Sequence, residues 1–285
     1  MSSIRRTGKS SQWISGDQGN NALEPPGPIV LLTDFGLDDP YVGCLKGVLV
    51  SQAPGVSVVD LCHGIMPQDI VHAAFVLMHS YRFFPAASTF LCIVDPGVGS
   101  ARALLAVKTA RGTFVGPDNG IFSPLLSLEK KYEAYRIGEQ FIPRRAAPTF
   151  HGRDIMAPVT AALAAGKTPI SDVGERVFSI NKLSLPKPKR RAKILEGEIL
   201  FLDHYGNAVT NINGSFFDRW PLLQSHIVVA GQTVLDLVTH YRAAENTNTL
   251  CALINSYGYL EIALPNGSAA RAHALKKGDT VKVLL

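Results

Sequence analysis

The sequence predicts an α/β domain with a mainly parallel sheet, followed by a smaller all-β, barrel-like domain. Three observations carry this reading. Between residues 28 and 166, short apolar runs alternate with segments of helical period, the signature of parallel βα units. Residues 185–194 are Pro-rich, basic and poor in large apolar side chains, as linkers are. Beyond them only short strand-like runs remain, separated by turn-forming pairs. The expected organisation is a disordered tail over 1–27, the α/β domain over 28–184, the linker over 185–194 and the all-β domain over 195–285.

The first strand runs from Ile29 to Leu32, four apolar residues suited to burial on both faces. A helix follows, with Asp39 as its N-cap and Pro40 at N1. Tyr41, Leu45, Val48 and Leu49 then fall at helical spacing until Pro54 and Gly55 end it. Val56 to Leu61 is a second strand, and Ile70, Ala74, Leu77 and Tyr81 mark one face of a helix stopped at Pro85. Phe90 to Val94 forms the next strand and delivers Asp95 at its carboxyl end, where open α/β sheets place ligands.

Leu104 to Lys108 and Thr113 to Val115 are further strands, the second leading into the turn-rich Gly116-Pro117-Asp118-Asn119-Gly120. Ile155 to Ala165 reads as a helix. In the second domain the strand-like runs are Gly197–Leu202, Ile227–Val229, Leu250–Ile254, Leu260–Leu264 and Val281–Leu285. Asn213-Gly214, Tyr257-Gly258 and Asn266-Gly267 supply turns beside them.

A chain of 285 residues with 46% hydrophobic content can bury a sizeable core, which excludes a disordered protein. No apolar run approaches the roughly 18 residues of a membrane span, so a soluble protein with no membrane partner is expected. The net charge is +5, and Lys187, Lys189, Arg190, Arg191 and Lys193 alone supply five positive charges. The remainder is near neutral, which argues against a nucleic-acid footprint and for a solvated basic linker.

Cys44, Cys62, Cys92 and Cys251 are too scattered for a CxxC metal pair or a disulfide framework. Buried thiols in a reducing, cytoplasmic compartment are the expectation. The first 27 residues carry Arg5, Arg6 and Lys9 without the apolar stretch of a secretory signal, although an organelle transit segment stays open. His72 and His79 are seven positions apart, too far for an i,i+4 metal pair, and His63 follows the second strand.

The chemistry-bearing residues stand in loops. Asp34, in Thr33-Asp34-Phe35-Gly36, follows the first strand and is placed to accept two hydrogen bonds from a ribose diol, or to form a local turn. Asp95 opens Asp95-Pro96-Gly97-Val98-Gly99, whose glycines permit a reversal that lets Arg102 fold back on it. His151 lies in Phe150-His151-Gly152-Arg153-Asp154, just before a helix. Taken alone, these three are better explained by an ion pair and a stray polar histidine.

These segments, with Asp203-His204-Tyr205-Gly206-Asn207, occur in an order and spacing that resembles the S-adenosylmethionine hydrolases, also called hydroxide adenosyltransferases, over residues 28–285. They are the hydrolytic relatives of the fluorinases and chlorinases. The resemblance implies hydrolysis of S-adenosylmethionine to adenosine and methionine, with no metal and no cofactor. It implies a homotrimer with sites between subunits, and Asp95, Arg102 and His151 as the catalytic trio.

It further implies substrate contacts from Asp34, Phe35, Asp39, Asn119, Tyr205, Asn207, Ser256, Tyr257 and Ala270. Asp34 would hold the ribose, Asn207 the adenine edge with Tyr205 beside it, Asp39 the substrate ammonium and Ser256 the methionine carboxylate. The family motif usually carries Phe where Tyr205 stands, and some fluorinase-like relatives carry Arg where Tyr257 stands. Three other readings stay open: a halide-using synthase, a calcium-dependent nucleoside hydrolase suggested by Asp38 and Asp39, and a sensor that binds without turnover.

Overall fold

A computed structural model describes residues 27–218, 225–234, 236–244 and 248–284. The expected disordered tail therefore lies, but for Gly27, outside the described residues. The first part is a seven-stranded sheet of β1 (Ile29–Thr33), β2 (Val58–Cys62), β3 (Thr89–Ile93), β4 (Leu104–Thr109), β5 (Gly112–Pro117), β6 (Tyr132–Ile137) and β7 (Gly174–Val177), in the order β2-β1-β3-β5-β4-β6-β7. β1 pairs in parallel with β2 and β3, and β3 with β5. The pairs β4–β5, β4–β6 and β6–β7 are antiparallel. The sheet is thus mixed, which corrects the mainly parallel expectation.

Alternation along the buried strands divides the core in two. Ile29, Leu31, Leu91 and Ile93 pack under α1 (Tyr41–Gln52) and α4 (Ala157–Ala164). Val30, Leu32, Phe90 and Cys92 face α2 (Ile70–Ser80) and α3 (Ser123–Leu126) on the other side. This is the three-layer solution for a sheet apolar on both faces.

Two helix starts differ from expectation. Asp39 does not cap α1; Pro40 takes the cap position with no side-chain hydrogen bond. Asp69 does cap α2, accepting the His72 N–H at 3.0 Å. The helix expected over Ile155–Ala165 begins earlier, as a π turn over Gly152–Met156 that runs into α4.

The second part is β-rich: β8 (Lys189–Arg191), β9 (Ile194–Leu202), β10 (Ala208–Asn213), β11 (His226–Val229), β12 (Gln232–Val234), β13 (Asp236–Leu237), β14 (Cys251–Ile254), β15 (Tyr259–Ala263) and β16 (Thr280–Leu284), with the short helix α5 (Ala269–Ala272). Among the described residues these form one nine-stranded sheet in the order β12-β11-β16-β9-β10-β15-β14-β13, with β8 added against β9. One apolar cluster draws Leu195, Ile199, Ala208, Ile227, Ala252, Ile262 and Val283 from strands all along that path, so the sheet curls around it like a barrel. Part of the basic segment is strand rather than free linker, because Lys189–Arg191 pairs antiparallel with Ile194–Glu196.

Aromatic packing joins the two parts. Phe75 of α2 meets Phe201, Tyr257 and Tyr259 edge-on at 5.3, 5.6 and 5.0 Å, and His72 stacks on Phe201 at 4.2 Å. Lys277 pairs with Asp69 at 2.5 Å beside them. All four cysteines are free, but only Cys92 and Cys251 are buried; Cys44 is exposed, against the expectation of buried thiols throughout.

Candidate active site

Thr33 of β1 pairs with Ile93 of the adjacent parallel strand β3, so Asp34 and Asp95 emerge side by side at one sheet edge. β2 lies on the far side of β1 from β3. The strand order therefore reverses between β1 and β3, the position where open α/β sheets bind ligands.

Arg102 reaches Asp95 because the sheet is mixed. The loop leaving β3 enters β4, which runs antiparallel to β5, so the start of β4 lies at the edge where β3 ends. Arg102 Nε donates to Asp95 Oδ1 at 2.6 Å and Nη2 donates to Oδ2, a two-pronged pair. Both side chains are nearly enclosed, at 10% and 5% exposure. Glycine makes the fold-back possible: a Cβ at Gly97 would stand 3.1 Å from Arg102 Cδ, and Gly99 has φ +81° with the Pro148 carbonyl 2.8 Å from any added Cβ.

His151 precedes the π turn, a distortion found often at functional sites. Its Nδ1 lies 3.3 Å from Arg102 Nη1. A guanidinium can only donate, so Nδ1 accepts and the ring proton of the neutral imidazole sits on Nε2. Burial, then the Arg102 charge, hold the His151 pKa below its ordinary value, partly offset by Asp95 and Asp154.

A cavity of about 360 Å³ opens here, lined by Asp34, Phe35, Asp95, Phe150 and His151. That is within the range of small-molecule sites, about 300–1,000 Å³. Phe35, Tyr41 and Phe150 form a wall of rings with centroids 5.4 to 5.8 Å apart. Arg153 lies over the Phe150 ring at 4.9 Å. Asp34 accepts the Gln68 N–H at 2.7 Å. Burial raises the Asp34 pKa, the Gln68 N–H opposes that, and the Asp95 charge adds to it.

A second cavity, of about 980 Å³, lies in the β-rich part and is lined by Tyr205, Asn207, Ser256 and Tyr257 among others. Asn207 is held by Asp203, which accepts its Nδ2 at 3.0 Å and its backbone N–H at 2.8 Å. Asn255 shapes the turn bearing Ser256 and Tyr257, its Oδ1 accepting the N–H groups of Tyr257 and Tyr259. Tyr205 is 74% exposed, an open ring face at the cavity mouth. The two cavities have no lining residue in common within one chain.

Arg102 lines neither cavity and touches the first only through Asp95 and His151, and three of the expected substrate contacts also stand apart from both linings. Asp39 is exposed, like Asp38. Asn119 helps to fix the end of β3: its Nδ2 donates to the Val94 carbonyl at 2.7 Å and its Oδ1 accepts the Ile121 N–H at 3.2 Å. The Ala270 N–H already donates to the Gly206 carbonyl at 2.9 Å. Among the described residues no three His, Cys, Asp or Glu side chains gather as a set able to hold a metal ion.

The sequence pattern does not single out the Tyr41 and Phe150 rings or Glu261 as site residues, and it explains Gln68 as a helix-start or surface residue. Glu261 is 3% exposed and accepts the Tyr241 hydroxyl at 2.6 Å and Asn255 Nδ2 at 3.0 Å beneath the second cavity. An acid inside the apolar run Leu260-Glu261-Ile262-Ala263 was the available signal.

Fold and site together define a two-part α/β and β protein in which an acid and an imidazole, both bonded to one guanidinium, line a cavity at a sheet switch point. The SAM hydroxide adenosyltransferase N-terminal domain matches residues 29–174, and the C-terminal domain of that name matches residues 197–282. The chain belongs to the SAM hydroxide adenosyltransferase family.

It is 38% identical to a Thermus thermophilus protein named (R)-S-adenosyl-L-methionine hydrolase, over 90% of this chain and 99% of that one. It is 30% identical to a fluorinase of an Actinoplanes species, over 90% and 96%. A solved structure of an uncharacterized conserved protein from Thermotoga maritima superposes with a TM-score of 0.82 at 31% identity, covering 90% of this chain and all of that one.

Proposed function

We propose that the protein hydrolyses S-adenosylmethionine to adenosine and methionine by in-line attack of water on the ribose C5′. The observation that carries this is the Arg102 fork, which holds Asp95 on one side and His151 on the other, both of them lining a cavity of about 360 Å³. The sulfonium leaves as a neutral thioether and needs no acid. What the reaction lacks is a nucleophile, since water is a weak one with a pKa of about 15.7.

As the water oxygen bonds to C5′, the C5′–S bond breaks and its electron pair stays on sulfur. The water proton passes to Asp95, whose oxygens each keep a lone pair free of Arg102, and from there to solvent. Because Arg102 occupies Nδ1, His151 offers Nε2–H and orients the water rather than taking its proton. Arg102 fixes both partners and stabilises developing hydroxide charge.

Asp34 accepts the ribose hydroxyls and, with Asp95, makes the cavity favourable to a sulfonium cation. Phe35 lines the same space. Asn207 reads the adenine edge beside Tyr205, and the Ser256–Tyr257 turn receives the methionine carboxylate. The Asp34 and Asn207 cavities share no lining residue within one chain, which supports the arrangement that the family resemblance implies, each site completed by a neighbouring copy in a homotrimer. The relatives' names specify the (R) sulfonium, and this chain takes the same epimer. Four free thiols accord with a reducing, cytoplasmic setting.

The deciding experiment is chromatography of products after incubation with each sulfonium epimer, with and without chloride. Adenosine and methionine in equal amounts from the (R) epimer are expected. Free adenine, 5′-chloro-5′-deoxyadenosine, or no product from folded protein would overturn the reading.

A further inference from the structure

We propose that the Thr33 hydroxyl and the His63 imidazole are a positioning pair that holds the Asp34 turn in its ligand-binding shape; this rests on Asp34 as the ribose contact. Thr33 is fully buried at the end of β1, and His63 is 6% exposed just past the end of β2. Thr33 Oγ1 lies 2.8 Å from His63 Nδ1. The same oxygen accepts the Phe35 N–H at 3.2 Å.

The far side of the ring sets the direction of the proton. His63 Nε2 lies 3.0 Å from Asp60 Oδ1, and the other Asp60 oxygen accepts Lys46 Nζ at 2.6 Å. A bare Nε2 facing a carboxylate would be repulsive, so Nε2 carries the proton. In the neutral ring Nδ1 is then the acceptor and the Thr33 hydroxyl its donor, which leaves the Oγ1 lone pairs for Phe35. Neither Thr33 nor His63 lines the cavity, so the pair cannot touch substrate.

The contacts converge on one residue. Phe35 is tied to Thr33, Gly36 donates its N–H to the His63 carbonyl at 2.9 Å, and Asp34 itself accepts from Gln68, at the other end of the loop that starts at His63. The segment from His63 to Gln68 therefore grips the Asp34 turn on both sides. Generic packing would not require an oriented Thr–His bond at one end of that grip. The energy of one oriented hydrogen bond is enough to matter for ligand affinity and too small to hold up the fold, about 1 kcal/mol.

The test uses the full chain with S-adenosylmethionine and its 2′-deoxy analogue. Thr33→Val, isosteric but without the hydroxyl, and His63→Leu are expected to raise KM for S-adenosylmethionine about fivefold with kcat within about twofold. Both are expected to shrink the parent's preference for the ribose over the 2′-deoxy substrate. Thr33→Ser and His63→Asn, which places an acceptor near the Nδ1 position, restore both values.

Parent-like KM and preference in Thr33→Val, with unfolding midpoints showing intact protein, would overturn the pairing even if His63→Leu failed to fold. Asp34→Ala separates the two ideas. If it abolishes the ribose preference while Thr33→Val does not, the pair alone is wrong; if it leaves the preference intact, the ribose contact is wrong and the pair's role falls with it.

Discussion

Arg102 Nη1 and His151 Nδ1 stand 3.3 Å apart, with the other arms of the same guanidinium clasping Asp95. One side chain thus sets both the tautomer of the imidazole and the orientation of the carboxylate. In the proposed mechanism, removing either partner deprives the water of its acceptor or its guide. Asp95→Ala or His151→Ala is expected to lower kcat by about 100- to 10,000-fold while ligand affinity stays within about tenfold. Single-turnover kinetics with isothermal titration checks this, and parent-like turnover in either variant would remove these residues from the chemistry.

The same contact fixes the pH response. The pKa of His151 is depressed by burial and by Arg102, so the neutral ring persists below the ordinary value of about 6.5. Protonating Nδ1 would turn a hydrogen bond into a clash of two cations. The acid limb of the activity profile should therefore lie below the ordinary histidine value. NMR titration of the His151 ring is expected to give a midpoint below about 6.5, moving upward in Arg102→Met, where the repelling charge is gone. A midpoint at or above 6.5 in the parent would contradict the geometry.

Local pattern carried the reading as far as local causes extend. A run such as Phe90-Leu91-Cys92-Ile93-Val94 reads as a two-face-buried strand, and so Asp95 was placed correctly at a strand end. Strand direction is not written in such runs. β4 opens with an apolar run, Leu104 to Val107, much like that of β3, yet runs the other way relative to β5, and that reversal returns Arg102 to Asp95. β6 and β7, Tyr-Glu-Ala-Tyr-Arg-Ile and Gly-Glu-Arg-Val, went unseen because polar residues on their outward faces mask the strand pattern. Tyr41 looked like a core residue by spacing, but helix α1 turns it outward to the Phe150 ring.

Between the two parts, His72 makes stability depend on pH. Its ring is buried against Phe201, and burial lowers its pKa to about 4. In the unfolded chain the value returns to about 6.5, so between these pH values the unfolded state binds more protons and stability falls as pH falls. At about 1.4 kcal/mol per pH unit the loss amounts to roughly 3 kcal/mol by pH 4. His72→Leu is expected to flatten this part of the curve. Urea midpoints of parent and variant at pH 7 and pH 5 measure it, and an equal drop in both would show that His72 is not responsible.

Separate cavities in one chain make a prediction about mixtures. Asp95→Ala disables the cavity at the sheet edge, and Asn207→Ala disables the one in the β-rich part. If a working site joins the first cavity of one copy to the second cavity of its neighbour, co-refolding the two inactive variants in equal amounts rebuilds intact sites. Random assortment puts an unmutated half on each side of about one quarter of the junctions, so about a quarter of parent activity should return. Sites contained within single chains would leave the mixture no more active than its components. Light scattering on the same samples, with three chains per particle expected, ties the recovered activity to assembly.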